Sequence, residues 1–179
     1  MKIKKLLVLT IVIVFSLSLS ACSFFQAGRF ARDDKKIADT RFQKIIEALE
    51  NKDKESLKKM FSPNALKEAN DMDGGIDYII NLYEGKIISK NVAREGSGLN
   101  EDDERTSELK CKYTVTTDKD KYIVFFIDQL VDAKNPDNVG LYMLQIIKES
   151  DEDNEFDWGF IHKCAGIYRP DDTESKGTK

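Results

Sequence analysis

The sequence predicts an α+β domain in which N-terminal helices pack on one face of a curled antiparallel meander sheet. Apolar residues recur at helical spacing between residues 33 and 85, and from residue 86 onward they alternate or run continuously, as they do in strands. The strands over residues 121–131 and 139–147 are apolar on both faces. We therefore expect the second face of the sheet to be covered as well, by a ligand, by a dimer partner or by the curl of the sheet itself.

The first predicted helix begins after Asp33 or Asp34, either of which can cap it, and ends near Glu50. Two shorter helices follow, one capped by Asp53 and one capped by Ser62 with a proline in its first turn. The apolar residues of the first helix lie on one face at helical spacing: Ala38, Phe42, Ile45, Ile46 and Leu49.

An Asp-Gly-Gly turn is predicted at residues 73–75, before a fourth helix that Gly85 ends. A weak strand over residues 86–94 and a Gly- and acid-rich loop over residues 95–105 come next. The strand over residues 107–117 alternates cleanly and places Leu109, Cys111, Tyr113 and Val115 on one face. Further strands are predicted over residues 121–131, 139–147 and 157–168, with an acidic turn at residues 151–155.

The N-terminus has the parts of an export signal. Three lysines at positions 2, 4 and 5 precede an apolar stretch over residues 6–19, and small residues follow it. A membrane-spanning helix needs about 20 apolar residues, so this stretch favours a signal peptide over residues 1–21. The sequence Leu19-Ser20-Ala21-Cys22 resembles the lipobox of bacterial lipoprotein precursors. That resemblance implies a diacylglycerol or palmitate-type modification of Cys22, which would hold the protein at the extracytoplasmic face of the cell membrane.

The predicted organisation is therefore a signal peptide over residues 1–21, a tether over 22–32, one domain over 33–170 and a disordered tail over 171–179. The net charge of the chain is −4, and removal of residues 1–21, which carry three lysines and no acid, makes it −7. An acidic protein does not neutralise phosphates, so we expect no nucleic-acid partner. A single histidine and incomplete calcium-loop patterns at residues 71–75 and 151–157 predict no metal site, and no cofactor motif is present.

Two segments resemble a known family. Residues 45–66 (IIEALENKDKESLKKMFSPNAL) and 158–170 (WGFIHKCAGIYRP) are similar to small Gram-positive lipoproteins of unknown function with a nuclear-transport-factor-2-like, or cystatin-like, domain. The resemblance covers about residues 33–170. It implies a cone-shaped fold with a pocket between the concave face of the sheet and the first long helix, and it implies no particular activity.

Asp128 interrupts an apolar strand on the side of Val124 and Phe126. In a cone pocket, burial would raise its pKa and it would serve as a general base, as Asp or His does in isomerases and dehydratases of that fold. The alternative is an aspartate at the strand end, bonded to backbone. His162, the only histidine, is predicted to alternate with aromatic residues along the last strand, either as a core residue or as a catalytic partner of Asp128.

Cys111 and Cys164 fall on different predicted strands. In a simple meander they lie three strands, or about 14 Å, apart, whereas a disulfide needs Cα atoms within about 7 Å. They would form a disulfide if their strands are neighbours, and would otherwise be buried thiols. The sequence thus predicts a non-enzymatic, membrane-anchored lipoprotein that binds a small apolar ligand or forms a homodimer or another protein contact. The alternative is a proton-transfer enzyme that uses Asp128, with or without His162.

Overall fold

A computed structural model describes residues 33–100 and 106–170 of the chain. Helices come first and strands follow, which confirms the predicted α+β class. No helix in this described part is both long and apolar enough to cross a membrane. The main elements are α1 (Asp34–Glu50), α2 (Lys54–Lys58), α3 (Pro63–Glu68), α4 (Met72–Leu82), β1 (Ile87–Asn100), β2 (Thr106–Thr117), β3 (Lys121–Asp132), β4 (Gly140–Lys148), α5 (Glu152–Glu155) and β5 (Gly166–Ile167).

The first three helices follow the sequence prediction, and the caps of α2 and α3 are local. The Asp53 carboxylate accepts a hydrogen bond from the backbone N–H of Ser56, and the Ser62 hydroxyl accepts one from the N–H of Ala65. All five residues of the predicted apolar face of α1 are buried.

The predicted turn at residues 73–75 is wrong, because these residues form the first turns of α4. The Asp71 carboxylate accepts a hydrogen bond from the Gly74 N–H at 2.9 Å and caps the helix. The glycine at position 75 serves a close approach to the sheet: a Cβ atom there would lie 2.9 Å from the Cβ of Ile167.

The sheet has the order β1-β2-β3-β4-β5. The first three pairings are antiparallel, as predicted, but β5 is parallel to β4. Burial alternates along the whole of β2, as the sequence predicted. The loop predicted over residues 95–105 is wrong for residues 95–100, which continue β1, while 101–105 lie outside the described residues. A register irregularity between Glu95 and Gly98 accommodates the Gly-rich stretch within the strand pairing.

The helices cover one face of the sheet, which we call the helix face, and the space between α1 and this face is filled by side chains. Phe42 of α1 stacks on Tyr113 of β2 with ring centroids 4.0 Å apart, and Tyr113 in turn faces Phe126 of β3 at 6.1 Å. All three residues are fully buried. The pocket that the family resemblance implied at this place is therefore occupied by the protein's own aromatic rings.

The second face of the sheet carries the buried residues Phe125, Ile127 and Met143. It is covered by the C-terminal part of the same chain. Phe156 and Trp158 make edge contacts with Phe125 at 5.3 and 6.0 Å between ring centroids. The two-sided apolar strands thus obtain their cover within the chain, through a segment that we call the C-terminal cover (residues 149–170).

Two predictions for the C-terminal cover differ from the structure. The acidic turn at residues 151–155 is a 3-10 turn (Glu149–Asp151) followed by α5. The long strand predicted over residues 157–168 is wrong, because only Gly166–Ile167 pairs with the sheet. Trp158 and Gly159 have left-handed backbone conformations, with φ of 58° and 69°. The preceding Asp157 accepts several backbone N–H bonds, and such local bonds compete with strand formation.

Candidate functional site

Asp128 lies on β3 and points to the helix face, on the side of Val124 and Phe126 as the sequence predicted. The residue is fully buried. A register irregularity between β3 and β4 falls between Ile127 and Asp128. Asp128 lies four residues before the end of β3 and is buried in the core, with its carboxylate bonded to a side chain of α1. The alternative of a strand-end aspartate at the rim, bonded to backbone, is therefore not observed.

Arg41 of α1 is the ion-pair partner of Asp128. Its Nε donates to Oδ2 at 2.8 Å, and its Nη2 donates to Oδ1 at 3.2 Å, so the guanidinium contacts both carboxylate oxygens. Sequence reasoning missed Arg41. Its position could have identified it, because a residue three positions after Ala38 and four before Ile45 places a cation on the buried side of the helix.

Burial and Arg41 act on Asp128 in opposite directions. Loss of solvation raises the pKa of Asp128, while the charge and the hydrogen bonds of Arg41 lower it, and the net direction is upward. A raised pKa is a property of many catalytic carboxylates. A general base, however, must also reach the proton that it removes, and here both oxygens are held by Arg41. The arrangement is that of a buried ion pair joining a helix to a sheet.

A polar groove of about 430 Å³ lies on the outer side of this ion pair, along α1 and α2. Its wall includes Arg41, Lys44, Glu47 and Lys59. This charged groove lies along α1 and α2, whereas the family resemblance implied a pocket between the concave face of the sheet and the first long helix.

His162 lies in the C-terminal cover. Its backbone N–H donates to Asp157 Oδ2 at 2.8 Å, its ring Nδ1 lies 3.2 Å from the carbonyl oxygen of Glu155, and its ring faces Tyr168 at 5.0 Å. Tyr168 belongs to the cluster on the second face of the sheet. Asp128 and His162 are thus on opposite sides of the sheet, and the structure does not bring the two candidate catalytic residues together.

Tyr168 and Glu155 form a second polar contact beside His162. The Tyr168 hydroxyl donates to Glu155 Oε2 at 2.7 Å. Burial, followed by the Glu155 carboxylate, raises the pKa of Tyr168 far above its usual range. The hydroxyl is therefore held protonated as a donor. Within residues 33–100 and 106–170, no group of three or more His, Cys, Asp or Glu side chains is placed to hold a metal ion.

The two cysteines of the described domain, Cys111 and Cys164, are not joined by a disulfide. Cys111 is buried on the helix face, whereas Cys164 packs partly buried against the second face. The sheet itself separates the two thiols, which is why the disulfide considered from the sequence does not form. The predicted lipidation site, Cys22, lies outside the described residues.

A comparison with curated proteins found no match to the chain. A comparison with protein families matched residues 44–149 to the family described as "Domain of unknown function (DUF5104)". The matched region begins within α1 and ends just after β4, so it includes Asp128 and Cys111 but stops before most of the C-terminal cover. As the match extends over more than half of the sequence, the chain belongs to the DUF5104 family.

Proposed function

We propose that this protein is a membrane-anchored extracytoplasmic lipoprotein whose DUF5104 domain is a protein-interaction module and not an enzyme. The anchor rests on the lipobox-like sequence Leu19-Ser20-Ala21-Cys22, directly after an apolar export segment. Two acyl chains on Cys22 would hold the domain stably at the outer face of the membrane, since each buried methylene contributes about 0.8 kcal/mol.

The observation that carries the choice of an interaction module is the filled space beneath α1. Phe42, Tyr113 and Phe126 occupy the region where a small-molecule pocket of a cone fold would lie. A module that binds an apolar ligand requires a cavity of a few hundred Å³ at such a place. The filled core therefore favours function through the outer surface, by contact with a second copy of the chain or with another macromolecule.

The finer fold assignment is part of this proposal. We infer that the domain is of the nuclear-transport-factor-2-like type, and the support is the order of its elements. A long first helix and short helices precede a mostly antiparallel sheet, and they pack on one of its faces. This resemblance bears on architecture alone, because one fold supports many functions.

The alternative is a proton-transfer enzyme of the isomerase or dehydratase type that uses Asp128. One observation favours it, the pKa of Asp128 raised by burial. Against it stand the two hydrogen bonds from Arg41 and the location of His162 on the other side of the sheet. Catalysis would require the ion pair to open before Asp128 could accept a proton from a substrate.

Metabolic labelling with a palmitate analogue in a bacterial host tests the anchor. We expect the wild-type chain and the Cys164→Ala variant to incorporate the label, and the Cys22→Ala variant to lose both the label and membrane association. Equal labelling of Cys22→Ala would overturn the anchor. Native mass spectrometry of the purified protein tests the module: a homodimer or a protein complex supports it, whereas a stoichiometric small molecule in a monomer contradicts it.

A further inference from the structure

A loop in the C-terminal cover exposes two large apolar side chains. Phe160 is 71 % exposed and the adjacent Ile161 is 84 % exposed. Among the residues that the structure describes, the other exposed large apolar side chains are Ile88, Val92 and Val139, which lie apart from this loop in the sequence. Two neighbouring apolar residues at the tip of one loop are a localised apolar surface that water solvates poorly.

The backbone of this loop is held in one conformation. The Asp157 carboxylate accepts hydrogen bonds from the N–H groups of Gly159, Ile161 and His162. Partial burial acts to raise the pKa of Asp157, but these three bonds outweigh it and lower the pKa below its usual range. The packing of Trp158 on Phe125 and Phe156 also attaches the loop to the second face of the sheet. Phe160 and Ile161 therefore project from a rigid base.

The charged side chains beside the tip include two lysines, Lys110 and Lys163, and two carboxylates that already have partners. Lys110 of β2 donates from Nζ to the carbonyl oxygen of Trp158 at 3.2 Å, and its Nζ lies 4.9 Å from the centre of the Phe160 ring. Lys163 forms an ion pair with Glu108 at 3.1 Å. The carboxylate of Asp157 faces the backbone N–H groups of its own loop. If the tip entered an apolar medium, each of these carboxylates would keep its partner. The tip would therefore avoid the high free-energy cost of removing an unpaired charge from water.

We infer that Phe160 and Ile161 insert into the interface of a lipid bilayer and orient the domain on the membrane. A specific protein interface buries about 800 Å² on each partner, which is far more than a tip of two side chains offers. Shallow insertion needs only a small apolar tip, with long cationic side chains beside it whose stems pack on apolar surface while their charges stay in water.

This inference rests on the proposed function, because the lipid anchor would make the contact of the loop with the bilayer strong. Insertion of two side chains gives weak binding for a protein free in solution. With Cys22 acylated, the segment between Cys22 and α1 spans at most about 40 Å, so the domain would be kept close to the bilayer. Insertion of the loop would then be an intramolecular event at high effective concentration. Contact with the bilayer would then be maintained without a second lipid group.

Trp158 is the only tryptophan of the chain and reports on the tip directly. The protein, purified from membranes, is mixed with phosphatidylcholine vesicles whose acyl chains carry bromine, and its fluorescence is compared with that in unbrominated vesicles. We expect bromine to quench Trp158 in the wild type. The double variant Phe160→Ser, Ile161→Ser should lower the inserted population of the loop at least about tenfold and reduce quenching to background. The matched control Ile88→Ser, Val92→Ser removes two exposed apolar side chains from β1 and should leave quenching unchanged.

An unquenched wild type, or equal quenching in the Phe160→Ser, Ile161→Ser variant, would overturn the inference. A photo-crosslinking amino acid at position 160 separates the two kinds of partner in cells: transfer to lipid supports insertion, and transfer to a polypeptide contradicts it. The mass of the same preparation reports acylation of Cys22. An acylated chain without quenching contradicts loop insertion alone, whereas a quenched chain without acylation contradicts the lipid anchor alone.

Discussion

Arg41 and Asp128, which are 87 residues apart in the chain, form a two-point ion pair between α1 and β3. The carboxylate is almost completely buried, whereas the arginine side chain is 23 % exposed. Attraction between buried charges is largely cancelled by the cost of removing them from water, so such a pair contributes more to the choice of one arrangement than to net stability. We infer that it fixes the position of α1 on the sheet.

Loss of Arg41 should destabilise the fold much more than loss of both partners. Arg41→Met leaves the Asp128 carboxylate buried without its cation, and we expect the free energy of unfolding to fall by about 3 kcal/mol. The estimate is at the low end for buried pairs because Arg41 reaches solvent. Urea denaturation followed by far-UV circular dichroism measures this change.

The double variant Arg41→Met, Asp128→Leu provides the control, because it removes both charges and keeps apolar volume. We expect it to be more stable than Arg41→Met alone. Additive losses from the two single substitutions would show that the ion pair does not couple α1 to the sheet.

The effect of Arg41→Met should depend on pH. The folded-state pKa of Asp128 lies above its ordinary value of 3.8. The stability that protonated Asp128 contributes is therefore fully present below pH 3.8 and is lost as the pH rises through the folded-state pKa. Without Arg41, the influence that lowers this pKa disappears and the pKa rises further. We expect the loss of unfolding free energy to be larger at about pH 7 than at about pH 4. A loss that is the same at both pH values would mean that Asp128 does not carry the effect.

Asp157 should hold the loop of the C-terminal cover. Asp157→Ala removes the acceptor for three backbone N–H groups, and we expect a loss of about 1–3 kcal/mol together with faster amide exchange at Ile161 and His162. Hydrogen exchange measured by NMR checks this, with residues of β2 as the internal reference. Equal protection of the two amides in wild type and variant would contradict the assigned role. Because the pKa of Asp157 is lowered, the stability that it provides is present above its ordinary pKa and is lost as the pH falls through the folded-state value.

Gly75 should resist replacement even though it lies in a helix. Gly75→Ala improves helix propensity by about 1 kcal/mol, but the added methyl group would lie 2.9 Å from the Cβ of Ile167. Crowding of this kind costs about 1–3 kcal/mol, so we expect a net loss of stability. Asp77→Ala, at an exposed position of the same helix, is the control and should change the melting temperature little. A higher melting temperature for Gly75→Ala would show that α4 and β5 can separate at no cost.

Local patterns allowed much of the fold to be predicted. The caps at Asp53 and Ser62 involve residues three positions apart, and the alternation along β2 follows from the pleat of a strand alone. Asp128 was identified because a charge inside an apolar strand is conspicuous in any fold. Its partner was not identified, since the pairing of α1 with β3 depends on how the helix lies on the sheet.

The conformation of the C-terminal cover could not be predicted from such local patterns. Residues 157–168 have the alternation of a strand, but the left-handed backbone at Trp158 and the bonds to Asp157 produce a loop that covers the second face. Segments that form their own hydrogen bonds and show one apolar period, such as α2, α3 and β2, could be read directly from the residue order. The folded domain was needed to show what covers the second face, that aromatic rings fill the space beneath α1, and that His162 lies across the sheet from Asp128. These relationships join residues far apart in the chain, where packing outweighs local preference.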